Sequence, residues 1–273
     1  MKLCVALLIS ALIVGCEPAT KPTEKIEKKP EPKTPANENQ ISAPAKPLLD
    51  FSYSYPKNLY TRKDAGMTDF GTEIEAGLYP IGFSKNGLFA YLERPCHNGC
   101  GCCTHNIIVQ DIFTDKTKGS LSINPRNEPL GYEAELNHVS DWNKFIKPLS
   151  NFLRSHNISQ FDLELKRDRT FFRDGHGYEV KSTVRQTPIE DRDLNLVNLR
   201  YNIKVVMDNQ HAVTVASGEV VNASEFEYKG YIESPLTNQV ILIFDQRTFG
   251  FEGSIDFSII PVGVTLDPKL FYR

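Results

Sequence analysis

The sequence lacks an excess of charge of either sign. Over 273 residues, Lys+Arg number 31 and Asp+Glu 34, a formal net charge of −3. A nucleic-acid binder is usually strongly basic, so nucleic acid is excluded as a partner. Long hydrophobic runs are also missing. No apolar stretch reaches the roughly 20 residues a spanning helix needs, and a mean hydropathy of −0.33 excludes a polytopic membrane protein. There is no G-x-S-x-G elbow, H-E-x-x-H helix, P-loop or G-x-G-x-x-G turn. Histidines 138, 156, 176 and 211 are scattered, and the run with Glu190, Asp191 and Asp193 reads as a solvated turn. No catalytic residue and no cofactor is therefore expected, and the reading leans away from an enzyme. Disorder of the whole chain is excluded, because 40% of residues are hydrophobic and can form a core.

The N-terminus is the most specific segment. Met1-Lys2 is followed by an apolar run from Leu3 to Val14, broken only by Ser10. One positive charge ahead of a short apolar stretch is the shape of a secretory signal peptide. The run closes on Ile13-Val14-Gly15-Cys16. This resembles a bacterial lipoprotein signal, with an aliphatic residue, a small residue and then the cysteine. The resemblance implies cleavage before Cys16 and acylation of Cys16 by palmitate-type chains. It also implies a membrane as partner through the lipid anchor. Each buried CH₂ contributes about 0.8 kcal/mol, so two or three chains on one cysteine hold stably where one does not. In Gram-negative lipoproteins an Asp after the cysteine commonly signals inner-membrane retention. Glu17 stands here instead, which favours the periplasmic face of the outer membrane in such a host.

Three segments follow from composition: a signal peptide over 1–15, the lipidated cysteine with a linker over 16–48, and a β-rich globular domain over 49–273. From Glu17 to Leu48 the chain carries seven prolines, six lysines and five glutamates, with Ile26 and Ile41 among very few large apolar residues. Such a segment cannot offset its ordering entropy by burial and reads as a disordered spacer. Proline density favours extended polyproline II, about 3.1 Å per residue.

The rest reads as mostly β (α+β), an antiparallel β-sandwich or curved sheets with one amphipathic helix near 140–155. Strands are expected at Phe51–Tyr55 and over 78–84, 88–94, 106–113, 160–167, 178–186, 195–207, 211–217, 225–233, 238–245 and 254–262, from alternation or short apolar runs. Asn86-Gly87 predicts a hairpin turn, and Thr114–Gly119 reads as another turn. Between Ser140 and Ser155, Trp142, Phe145, Ile146, Leu149, Phe152 and Leu153 recur at helical spacing, with Trp142 a core anchor. Pro148 is expected to kink or divide this helix. A split into two subdomains near 135–158 is a further expectation. Phe83-Ser84-Lys85-Asn86-Gly87-Leu88-Phe89-Ala90-Tyr91 is similar to a motif of bacterial propeller blades and of predicted secreted proteins of unknown function. Gly250-Phe251-Glu252-Gly253 resembles the latter group too. A propeller needs about four or more such repeats, and the motif occurs once, so it marks a hairpin.

The candidate chemistry lies in the cysteines. Cys4 leaves with the signal and Cys16 takes the lipid. Cys96, Cys100, Cys102 and Cys103 fall within eight residues, flanked by His97 and His105. In an oxidising envelope the leading reading is two structural disulfides. Joining adjacent Cys102 and Cys103 is strained. That leaves Cys96–Cys102 with Cys100–Cys103, or Cys96–Cys103 with Cys100–Cys102. A metal site using these thiolates with His97 and His105 would suit Zn²⁺ or Cu(I). A redox role through Cys100-Gly101-Cys102-Cys103 is the third reading, although such pairs normally sit at a helix N-terminus. The sequence thus points to a lipid-anchored protein of the bacterial cell envelope, with a non-catalytic β-rich domain that binds or scaffolds an envelope protein. The alternative is redox or Cu/Zn handling by the loop 96–105.

Overall fold

The computed structural model describes residues 53–67, 73–94, 96–97, 102–103, 105–123, 138–188, 197–249 and 255–272. The expected signal peptide, Cys16, the spacer, Phe51, Cys100 and Gly250–Gly253 lie outside the described residues.

The architecture is mostly β, with every strand pair antiparallel. One sheet takes the order β1 (Tyr60–Met67), β2 (Glu73–Phe83), β3 (Leu88–Arg94), β6 (His105–Asp111) and β7 (Thr117–Ile123). The short β8 (Ser159–Gln160) pairs with β2 at its free end. The second sheet is curled. It runs β5 (Cys102–Cys103), β4 (Cys96–His97), β14 (Ile255–Thr265), β13 (Gln239–Phe249), β12 (His211–Glu233), β11 (Val197–Met207), β10 (His176–Pro188) and β9 (Thr170–Arg173).

Three apolar layers hold these elements together. Helix α1 (His138–Ser155) lays Trp142, Leu149 and Leu153 on Ile81, Leu92 and Ile107 of the first sheet. Burying each of these leucines stabilises by about 1.5–3 kcal/mol. The opposite face of that sheet, with Leu78, Phe83 and Phe89, packs on Ile232, Ile241 and Ile243 of the second. The far face of the second sheet forms the largest cluster, with Tyr178, Phe226, Leu242 and Phe244, and takes in Phe271 of helix α2 (Pro268–Phe271). β13 therefore buries both faces, as its unbroken Val240–Phe244 run requires. Residues Leu49–Arg273 form one unit.

Several expectations are corrected. Tyr53–Tyr55 is not a strand. Side chains replace a sheet partner there: Gln160 accepts from the Ser54 N–H at 2.9 Å and donates to the Ser54 carbonyl at 2.9 Å, while Trp142 Nε1 donates to the Tyr53 carbonyl at 3.0 Å. The segment expected as a strand over 160–167 has ladder pairing only at β8 and an isolated bridge between Lys166 and Tyr231. The strands expected at 211–217 and 225–233 are a single strand, β12, of 23 residues. Its ladders shift register near Ala223 and Tyr228, so the chain bends at bulges without leaving the sheet. Helix α1 starts at His138 and is not divided at Pro148, whose ring is exposed. Strands β1, β4, β5, β7 and β9 are not among those expected, and β7 begins at Thr117, inside the stretch Thr114–Gly119 expected as a turn. The Asn86-Gly87 hairpin is present: Ser84 Oγ accepts from the backbone N–H of Asn86 at 3.2 Å and of Leu88 at 3.0 Å, with Gly87 at φ 77°.

Candidate functional site

The cysteine-rich segment leaves the first sheet after β3 and joins the second before returning at β6. Its ribbon has the register Cys96↔Cys103 and His97↔Cys102, and β4 meets β14 at His97↔Asp256. Consecutive register pairs of an antiparallel ribbon belong to opposite faces. Directly opposed Cα atoms lie about 4.5–5.5 Å apart, inside the disulfide range of about 4.4–6.8 Å. His105 starts β6 in the other sheet, opposite Ile123. Among the described residues no three His, Cys, Asp or Glu side chains form a metal-ligating group.

Further along, the edge of β14 is closed by side chains of the first sheet. Gln110 Nε2 donates to the Pro261 carbonyl at 3.1 Å and to Asp115 Oδ1 at 2.8 Å. The same carboxylate oxygen accepts from the Gly263 N–H at 2.6 Å. Pro261 has no N–H to offer, which suits an edge position.

A buried charged centre ties β1 to the second sheet. Asp245 is 1% exposed. It accepts a hydrogen bond from Tyr60 Oη and lies 3.3 Å from Arg62 and 3.3 Å from Lys229. Arg62 also pairs with Glu225, and Lys229 with Glu227. The Arg62 guanidinium sits 4.8 Å from the centre of the Phe257 ring. Burial raises the Asp245 carboxyl above the usual range, against the lowering influence of Tyr60, Arg62 and Lys229. Burial and the Asp245 hydrogen bond likewise raise the Tyr60 hydroxyl. A carboxyl raised in the folded state contributes most stability below its unfolded value, about 3.9. That contribution is lost as pH rises through the folded value. Asp245→Asn keeps the shape without the titration. The melting temperature of the Asn variant minus that of the native chain is therefore expected to grow between pH 3.5 and pH 7. A difference that shrinks would mean that Arg62 and Lys229 outweigh the burial.

A row of clefts follows the segment 158–166, which crosses from the first sheet to the second. Tyr53 Oη donates to the Ile158 carbonyl at 2.6 Å, Phe161 N donates to the Ile81 carbonyl at 3.2 Å, and Lys166 exchanges two backbone bonds with Tyr231 at 2.9 and 2.8 Å. The first cleft, about 580 Å³, lies among Tyr53, Lys85, Asn86, Arg154 and Gln160. The second, about 380 Å³, shares Gln160 and adds Tyr55, Lys57 and Phe161. The third, about 320 Å³, shares Phe161 and reaches Lys166, Arg173 and Glu233. Lys166 pairs with Glu233 at 3.0 Å, so the far end carries both charges. The row thus offers aromatic faces, amides and both signs of charge along an open track. Neither Gln160 nor Asp245 carried a motif. A glutamine after a helix and an acid ending an apolar run are both ordinary until their partners, over 100 residues away, arrive.

Among known proteins, no family model, no curated protein and no solved structure matches the chain.

Proposed function

We propose that the chain is a lipid-anchored protein of a bacterial cell envelope. Its β-rich body binds an extended segment of another envelope protein along the 158–166 crossing. The row of adjoining clefts is the observation that supports the binding. Their shared lining residues suit a chain laid across the surface, with amides and charges to fix its position. The anchor rests on the motif at Ile13–Cys16. Within the cysteine loop, the register supports Cys96–Cys103 with Cys100–Cys102 over the other pairing.

Cells grown with labelled palmitate are expected to label the native chain and leave Cys16→Ser unlabelled. The Ser variant should leave the membrane fraction for the soluble one, with a loss of attachment well above 10-fold. One acyl chain alone binds only marginally, and none binds less. For the clefts, a photocross-linking residue at Asp162 should give a discrete adduct that the same residue at exposed Phe172 does not. Equal adducts at both positions would refute the cleft reading.

A further inference from the structure

Two like-charge pairs stand directly opposite each other on the solvent face of β10 and β11. The register is Lys181↔Lys204, Thr183↔Asn202 and Arg185↔Arg200. Like charges directly opposed across strands repel and destabilise the pairing, and here two such pairs fall within five residues of each strand. Carboxylates relieve only half of this. Glu179 lies 3.0 Å from Lys181, and Glu219 lies 3.0 Å from Arg200. Arg185 and Lys204, one from each pair, have no carboxylate partner among the described residues. A cleft of about 410 Å³ opens among Thr183, Arg185, Arg200, Asn202 and Lys204. Asn202, between the two pairs, holds a buried carboxamide oxygen without a hydrogen-bond partner.

The alternate residues of β11, Leu199 and Ile203, are buried in the largest apolar cluster. The cations thus project from a packed sheet, not a loop. Lys181 and Arg185 are four residues apart, about 13 Å along the strand at about 3.3 Å per residue. The positive charge is therefore spread over an open face.

We propose that this face seats on the anionic phospholipid headgroups of a bilayer, with Arg185, Arg200 and Lys204 meeting phosphate oxygens. The choice of a lipid surface as occupant rests on the anchored reading above. A tether of some 30 residues would keep the body at high effective concentration beside one membrane. Charge complementarity supplies the rest: each Lys or Arg near an anionic surface adds roughly 5-fold to binding.

The mature chain, residues 16–273 with Cys16→Ser, is mixed with vesicles of phosphatidylglycerol and phosphatidylcholine, and with vesicles of phosphatidylcholine alone. Binding to the mixed vesicles is expected to be at least about 25-fold tighter and to weaken as salt screens the charges. The double change Arg185→Gln with Lys204→Gln should lose about 25-fold while melting at the native temperature or above, since it relieves repulsion. Equal binding to both vesicle types, or an unaltered double variant, would overturn the inference. So would binding of soluble polyphosphate without binding to the mixed vesicles. Palmitate labelling of the native chain reports the anchor separately. Vesicle binding without label removes only the anchor, and label without vesicle binding removes only the basic face.

Discussion

Replacing Phe244 by alanine is expected to cost about 3–5 kcal/mol of stability, the range for truncating a buried aromatic. Phe244 is 0% exposed, at the centre of β13. Its ring stacks on Phe226 at 5.1 Å and meets the edge of Tyr228 at 5.5 Å. Phe226 in turn stacks on Tyr201 at 4.3 Å, so the aromatic column crosses three strands. The cavity cannot close by moving β13, because Ile243 and Asp245 pin its other face to the first sheet. Domains are stable by only about 5–15 kcal/mol, so the variant should melt roughly 10 °C lower. Urea denaturation measures the change directly. Phe113→Ala, at a residue 71% exposed, is the control and should change stability by less than about 0.5 kcal/mol. A loss below about 1 kcal/mol at Phe244 would show that the column does not carry the core.

Gly263→Ala should be nearly as severe, at about 3 kcal/mol or more, for a different reason. A Cβ there would stand 2.0 Å from the Ile112 carbonyl oxygen and 2.6 Å from its carbon. Both are backbone atoms, so no side chain can swing aside. The β14 edge must lift from the turn after β6, stretching the Asp115 bond to the Gly263 N–H and the Gln110 bond to the Pro261 carbonyl. Overpacking costs about 1–3 kcal/mol, and each buried polar group left unpaired adds about 1–3. Gly175→Ala separates this clash from backbone strain. Gly175 has φ +82° but nothing within 4 Å of its Cβ position, so only the left-handed backbone penalty of about 1–2 kcal/mol applies. Similar losses at the two glycines in chemical denaturation would overturn the argument that β14 and the turn are in contact.

The local patterns that proved readable share one property: their partners are close in sequence or face one continuous core. The 3–4 spacing from Trp142 to Leu153 is a helix, and Asn86-Gly87 is a hairpin. Val240, Leu242 and Phe244 face one layer while Ile241 and Ile243 face another. The strand breaks were less legible. The stretch from Gly218 to Ser224 falls between two expected strands, but it is the middle of β12, because β11 supplies ladder partners from Gly218 to Ala223 and β13 joins at Ala223. Of the candidate chemistry, the cysteine spacing was plain. That the ribbon sets Cys96 against Cys103 and joins β14 was not.

By itself the sequence determined that this chain is mostly β with one amphipathic helix, because residue periodicity decides which face of each element can leave water. It could not say which faces would meet. The Asp245 centre, the cleft row along 158–166 and the opposed cations of β10 and β11 each depend on residues distant in sequence brought into register. Only tertiary structure decides this, since register is set by the packing of the whole buried face and a shift of one residue would turn every side chain to the opposite side.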